Sequence, residues 1–523
     1  MTKVVIDIAL SPDSIEKSGD NAAIETEIRK KIHEFHTYDL IKKSIDARNK
    51  KAILIRFRCV VSVDNEYADR LVSEGLELYS EPSISHIPVI KQKHSAVIVG
   101  MGPAGLFCAH RLTEAGVDVT IIERGKPISE RDRDVELLKT KGILNTESNV
   151  VFGEGGAGTY SDGKLTTRIH KGPVDSVFRT LVDFGAPDSI LYDAKPHIGT
   201  DILSEVIASM RRALLDKGTE ILFSEKVTGI ISENGQAAGV VTSNGKEYRA
   251  DSVIIATGHS ARDTYKNLVL SGVSLEKKGF AAGFRIEHPA EFINRTQYGS
   301  YAGKLPAADY RLAYNNPETG RGVYSFCMCP GGEVINSSSE KGMLCVNGMS
   351  MSARNGIFSN AAIVVSLRAD DFPGDILSGI EFQRDIEKKA FSCAGGEFRA
   401  PAQKASDFVK GVSTGAKIET SFLPSVVSSE LSSIFSPFMR KEFVRGMKYF
   451  DRLMPGFIEN GVCIGVESRT SSPVRVTRTE RMESVSVKNL YPIGEGAGYA
   501  GGIVSSAVDG LKCADMIISG LSS

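Results

Sequence analysis

Residues 95–123, SAVIVGMGPAGLFCAHRLTEAGVDVTIIE, restrict the fold more than any other part of the chain. The continuous apolar run SAVIVG predicts a buried parallel strand, PAGLFCAHRLTEAG an amphipathic helix, and VDVTIIE a second strand that closes on an acid, Glu123. Between the first strand and the helix stand Gly100, Gly102 and Gly105 in G-x-G-x-x-G spacing, with Pro103 and Ala104 opening the helix. A glycine triplet alone is a weak signal; placed after a strand, at the head of a helix and before an acid, it is specific. Gly100 is expected to make the tight turn, Gly102 to let the backbone reach a pyrophosphate, and Gly105 to let helix and strand pack closely. The helix N-terminus offers free N–H groups to phosphate, and Glu123 is placed to accept hydrogen bonds from ribose hydroxyls.

The remaining bulk properties narrow the class. A chain of 523 residues exceeds one ordinary core, so roughly two to four domains are expected. Lys and Arg number 63 against 64 Asp and Glu, a net charge of −1, so no global field draws in nucleic acid or an anionic membrane. Eight cysteines without a CxxC pair give neither a disulfide framework nor a zinc site, and no metal is expected. The opening MTKVVIDIALSPDSIEK lacks the long apolar core of a signal peptide, and no run reaches membrane-spanning length. These features predict a cytoplasmic protein.

Residues 1–93 read as a separate α/β module, with strands at VVIDIAL and AILIRFRCVVSV, a helical region over 21–43 and a short helix at NEYADRLVSEG. Within it, residues 29–58 hold ten basic residues and three acids. That stretch could face RNA. A solvated face is preferred, because the module is near neutral overall and lacks interleaved aromatics.

Two later stretches bear on which dinucleotide is bound. ADSVIIATGHSAR places Ala-Thr-Gly at 256–258 after an apolar strand, and LYPIGEGAGYAGGIVSSAVDG places Gly-Glu-Gly at 494–496 after another. With the Glu123-Arg124-Gly125 ending, they resemble the FAD-binding fold of the glutathione-reductase type. The segments GEGGAGTYSDGKLTTR, ATGHSARDTY, GFRIEHP, FCMCPGG, NGMSMSARN and ESRTSSPVR resemble more closely the FAD-dependent dehydrogenases, or NAD(P)/FAD-dependent oxidoreductases, over nearly the whole chain. The resemblance implies an α/β architecture: a three-layer, Rossmann-like FAD-binding domain at 94–278 and 472–523, an inserted cap at 279–471, and the N-terminal module. It implies that Glu495 holds the ribityl chain and that Gly501, Gly502 and Ile503 lie at the flavin N1/O2 edge. The glycine-rich VFGEGGAGTYSDGKL, residues 151–165, would run under the isoalloxazine, with Gly155, Gly156, Ala157 and Gly158 admitting the ring. Gly100, Gly102, Pro103, Ala104, Gly105, Glu123, Arg124, Val227, Thr257, Gly258 and Gly494 complete the implied cofactor set.

No second G-x-G-x-x-G occurs between residues 160 and 490, so a dedicated NAD(P)H domain is not expected; NADH or NADPH would visit as a transient reductant. The chemistry then falls to the cap and its joins. Cys327 and Cys329 could form a strained disulfide or put a thiolate near the flavin, or be two half-buried thiols beside a Pro-Gly-Gly turn. His259 and His288 are acid/base candidates, and Lys164, Arg168, Arg285 and Arg354 could bind an anion before the ring. His259, Cys327, Cys329 and Lys164 form the expected catalytic set. The expected activity is hydride transfer between a small organic substrate and flavin N5. FAD-dependent RNA modification through the basic stretch and a non-catalytic FAD-holding protein are the alternatives. The sequence does not fix the oligomeric state.

Overall fold

The structure, a computed structural model, describes residues 1–81, 87–169 and 172–522. Its central sheet is fully parallel, in the order Leu490–Pro492, Ser252–Ile255, Ser95–Val99, Asp118–Ile122, Glu220–Leu222. Alternation along the strands feeds two cores. Ala96, Ile98, Ile121 and Ile254 face the helices Pro103–Glu114 and Ile503–Leu521, meeting Leu106, Phe107, Val504 and Ala507. Val97, Val99, Ile122 and Val253 face the other way, toward Ala237 and Val240 of the antiparallel strands Val227–Glu233, Gln236–Thr242 and Glu247–Arg249. Helices, parallel sheet and antiparallel sheet make three layers, and the strand carboxyl ends open on one crevice, the usual ligand position in such sheets.

A mixed seven-stranded sheet forms a second body. Its order is Ala313–Asn315, Gly322–Cys329, Phe358–Leu367, Phe280–Pro289, Val462–Glu467, Ala400–Lys404, Val426–Ser428. Phe280, Ala282, Phe284 and Ile286 enter an aromatic core with Phe408, Phe435, Phe443, Phe450 and Phe457, backed by the helices Ser378–Cys393 and Pro437–Leu453. The intervening Arg285 points to the opposite face of its strand, as period-two alternation requires. Leu275–Lys277 and Val474–Val476, paired antiparallel, form a ribbon at the passage between this body and the parallel-sheet body.

The first 78 residues contain an antiparallel sheet in the order Thr37–Asp46, Leu54–Val63, Thr2–Leu10, Glu77–Leu78, with the helices Asp20–Lys31 and Asn65–Ser73 packed on it. The helical region expected over 21–43 ends at Lys31, and residues 37–46 are strand. Pairing with Leu54–Val63 outweighs local propensity there, helped by Thr37, Tyr38 and Ile41. This edge strand also docks on the neighbouring domain: Lys43 N–H donates to Tyr192 O (2.7 Å) and Lys43 O accepts from Ala194 N–H (2.8 Å). Basic residues of the 29–58 stretch are paired: Arg29 with Glu25, Lys30 with Glu27, Lys43 with Asp20, and Arg48 and Arg56 with Asp46. No helix among the described residues is long and apolar enough to cross a membrane.

The two large bodies are joined by buried charge. Arg262, from the helix Arg262–Leu270, donates to both oxygens of Glu387 on the helix Ser378–Cys393 at 2.7 and 2.9 Å. Arg469 grips the same carboxylate at 2.8 and 2.9 Å. Burial raises the Glu387 pKa, but Arg262 and Arg469 outweigh it and hold the group well below the ordinary carboxylate range. A depressed carboxylate contributes stability above its unfolded pKa, and loses it as pH falls through the folded one. Glu387→Ala leaves buried Arg469 without its carboxylate and Arg262 with that of Glu340 alone, and should cost about 3–5 kcal/mol, read as a lower urea midpoint at pH 7. The gap from wild type should narrow in acid; an unchanged midpoint would show that the joint bears no such load.

Candidate functional site

The strand Ser95–Val99 runs straight into Gly100, whose φ of +104° turns the chain under the helix Pro103–Glu114. A Cβ on Gly105 would collide with Gly100 O, so the turn and helix lie as close as glycine permits. Gly102 caps the helix, and a Cβ there would meet only Gly156 Cα, at 4.0 Å; the space belongs to a cleft of about 390 Å³. Glu123 ends the second strand at the cleft wall. Its carboxylate accepts from Met101 N–H (2.8 Å), Gly125 N–H (2.9 Å) and Gly153 N–H (3.0 Å), which ties strand end, turn and glycine loop to one side chain. Arg124, also on the wall, lies over the Phe152 ring at 4.2 Å and pairs with Glu147 and Asp263.

The glycine-rich loop is ordered by a residue that lies outside it. Arg131, on the helix Ile128–Lys141, is fully buried and donates to Asn149 O (2.8 Å), Val150 O (2.9 Å), Glu154 O (2.6 Å) and Gly156 O (2.9 Å). Its guanidinium lies 4.7 Å from the centroid of the Tyr160 ring. A Cβ on Gly153 would stand 2.5 Å from Arg131 Cδ, so glycine there makes room for the arginine. Wrapped this way, the loop presents Gly156, Ala157 and Gly158 to the cleft. Gly155 does not reach it: its N–H donates to Met101 O, and its side-chain direction is filled by Thr159 and Ile207. Gly105 likewise lies behind the wall, in its packing role.

At the far end, Glu495, Gly501, Gly502 and Ile503 line the cleft where the helix Ile503–Leu521 begins. A Cβ on Gly501 or Gly502 would meet nothing within 4 Å. Burial pushes the Glu495 pKa up to about 7. Val227, Thr257, Gly258 and Gly494 also border the cleft, as do Pro103 and Ala104. His259 follows them on the wall; its Nε2 donates to Arg469 O (3.0 Å) and its Nδ1 lies 3.5 Å from Glu495. Burial, then the Arg469 charge, lowers its pKa to about 4, so His259 is neutral at pH 7.

The second body closes the same cleft: Phe326, Cys327 and Glu467 come from its seven-stranded sheet, Arg469 and Thr470 from the segment after Val462–Glu467, and Asn347 from the separate two-stranded sheet of Glu333–Asn336 and Val346–Met349. Lys164 stands on the wall beside Asp162 at 3.8 Å. Several expected residues lie elsewhere. Cys329 is fully buried behind Cys327, because the strand bulges between them. His288 sits in the aromatic core, bonded to Phe457 O and packed against Phe292 and Phe457, since its strand position faces away from the cleft. Arg285 is buried among Glu467, Asn360 and Cys327 O, Arg354 is bound to Asp162, and Arg168 is exposed outside the cleft. Of those four basic residues, Lys164 alone borders it. Residues that the sequence reading did not single out include Arg131, Asn347, Glu467 and Arg469. The last two lie within the conspicuous ESRTSS; Arg131 sits in the charged ISERDRDVELLKTK, where nothing sets it apart.

Comparison with known proteins decides the family. Residues 279–470 match the model "FAD-dependent protein, C-terminal domain-like", residues 93–260 "FAD binding domain", and residues 204–323 "FAD dependent oxidoreductase". An uncharacterized protein of Clostridium beijerinckii is 41% identical over 98% of both chains. The chain belongs to the FAD-dependent oxidoreductases. The 6-methylpretetramide 4-monooxygenase of Streptomyces rimosus is 31% identical over 31% of this chain and 37% of its own. A geranylgeranyl bacteriochlorophyll reductase-like protein from Thermoplasma acidophilum aligns over 82% of this chain and 79% of its own, at 13% identity and a TM-score of 0.37. The cleft of this FAD-dependent oxidoreductase suits the cofactor, with helix N-termini at both ends and glycine backbone where a side chain would intrude. Gly102→Val places a branched side chain in that space and should yield folded, colourless protein. Stoichiometric FAD in the purified variant would contradict the placement of the phosphates.

Proposed function

We propose that the protein transfers hydride between a small organic molecule and the flavin N5 within the cleft. The observation that carries this reading is the closure of one cleft by two bodies. Backbone of the parallel-sheet domain forms one wall, and Phe326, Cys327, Asn347, Glu467 and Thr470 of the second body form the other. A cofactor held on the first wall leaves the second to choose and orient a substrate.

When bound, FAD supplies two-electron chemistry at N5. The Pro103–Glu114 N-terminus and Gly102 would hold its pyrophosphate, and Glu123 has acceptor capacity left for the ribose. Glu495 would take the ribityl hydroxyls, and Gly501, Gly502 and Ile503 would offer the first turn of their helix to the pyrimidine edge. Lys164 supplies positive charge for an anionic or carbonyl group of the substrate. Neutral His259, anchored through Nε2, keeps Nδ1 free to accept a proton. Glu467, raised to about 7 by burial, can hold a proton near neutrality. Reduced nicotinamide would have to enter the same cleft.

Anaerobic stopped-flow mixing with NADH, NADPH and a panel of hydroxy and amino acids should find compounds that bleach the flavin band. Lys164→Met should lower kcat/KM for an anionic substrate by about tenfold to a hundredfold, the worth of one charge-assisted hydrogen bond. A flavin that no organic donor or acceptor changes would overturn the reading.

A further inference from the structure

The strand Gly322–Cys329 pairs regularly with Phe358–Leu367 as far as Phe326, which faces Ala362; the next partners are Cys329 and Asn360. One extra residue is therefore inserted at 327–328, and Cys327 takes a φ of +43°, a left-handed value uncommon for a side-chain-bearing residue. A regular strand would give both cysteines the same environment. The bulge separates them: Cys327 lines the cleft and Cys329 is sealed beneath it.

Around this turn the protein has built a charged support. The guanidinium of Arg285, fully buried, donates to Cys327 O at 2.8 Å and approaches Cys329 Sγ at 3.5 Å. Glu467 (2.9 Å) and Asn360 (2.7 Å) hold that guanidinium in place. Gly348 leaves it room, since a Cβ there would overlap Arg285 Nη2. Lys164 borders the same cleft as Cys327.

From this arrangement we propose that Cys327 and Cys329 are a dithiol/disulfide couple that exchanges two electrons with the bound flavin. The proposal rests on the reading that a flavin held on the first wall faces the second wall across the cleft, and adds to it an internal electron store. The two sulfurs are chemically distinct. The neighbouring Cys329 thiol, then Lys164 and Arg285, outweigh burial and hold the Cys327 pKa below the ordinary thiol range, while Cys329 is raised well above it. Cys327 is thus the thiolate and Cys329 the proton-bearing partner. As the S–S bond forms, thiolate and thiol together give up two electrons and one proton. Both electrons and that proton pass to oxidised FAD, leaving its reduced anionic form; the reverse step breaks the S–S bond and restores thiolate and thiol. Cys327 alone can pass electrons onward by thiol exchange, because Cys329 has no path to solvent.

The test is an electron count with a chemical readout beside it. Ferricyanide-oxidised holoprotein, titrated anaerobically with dithionite, should take up four electrons per FAD, and Cys329→Ser only two. Iodoacetamide mapping of the oxidised, FAD-stripped wild-type chain should leave Cys327 and Cys329 unmodified in one peptide, lighter by two hydrogens, and prior reduction should make both alkylatable. Two-electron uptake with both thiols alkylated after oxidation would overturn the couple, even if an organic substrate bleaches the flavin. Four-electron uptake in a protein whose flavin no organic compound reduces would leave the couple standing and remove the hydride reading.

Discussion

A guanidinium with no access to water must satisfy its donors from the protein or destabilise the fold, and Arg131 does so with backbone carbonyls of the glycine-rich loop. That requirement runs in both directions. The arginine needs carbonyls from Asn149, Val150, Glu154 and Gly156 at one point, and the loop can bring them there only by folding round it. Glycines then appear where the arginine passes, as at Gly153, and where the cleft must stay open, as at Gly156 and Gly158. Glu123 ties the result to the parallel sheet, since the carboxylate that takes Gly153 N–H also takes Met101 and Gly125 N–H. This part of the cleft wall is therefore set by one buried cation and one buried anion, each bonded chiefly to backbone.

The second sheet is positioned by a similar device at larger scale. Glu387, buried between Arg262 and Arg469, joins the helix after Ala-Thr-Gly to the segment that supplies Glu467 and Thr470. Through Arg469 O the same joint holds His259 Nε2. Buried ion pairs contribute little net stability compared with apolar packing, but they permit few geometries. A cleft that must align two bodies has a use for that restriction, and the paired ribbon Leu275–Lys277 with Val474–Val476 limits the remaining freedom.

Much of this was legible in the sequence where the chemistry is local. The strand, G-x-G-x-x-G, helix and acid of residues 95–123 lie within 29 residues, and each glycine's role follows from its position in one turn. The stretches at Ala-Thr-Gly and Gly-Glu-Gly, which border the cleft, were legible through their resemblance to the FAD-binding fold. Long-range partners were not. Arg131 looks like any other charge on its helix until its carbonyl acceptors arrive from 18 to 25 residues later. The fates of His288 and Arg285 depend on which face of one strand is buried in aromatics, and the separation of Cys327 from Cys329 on a single inserted residue. Residues 37–46 became strand chiefly through pairing with Leu54–Val63, a partner that a local reading does not reveal.

The dependence on Arg131 can be measured directly by the FAD dissociation constant of Arg131→Lys apoprotein. Lysine keeps the charge but lacks the planar fork of donors, so it cannot gather the four carbonyls. The account predicts a chain that retains the urea transition of its second domain while FAD binding weakens at least about tenfold, the effect of losing about 1.4 kcal/mol of preorganisation. FAD affinity equal to wild type in that variant would show that the loop holds its shape without the arginine.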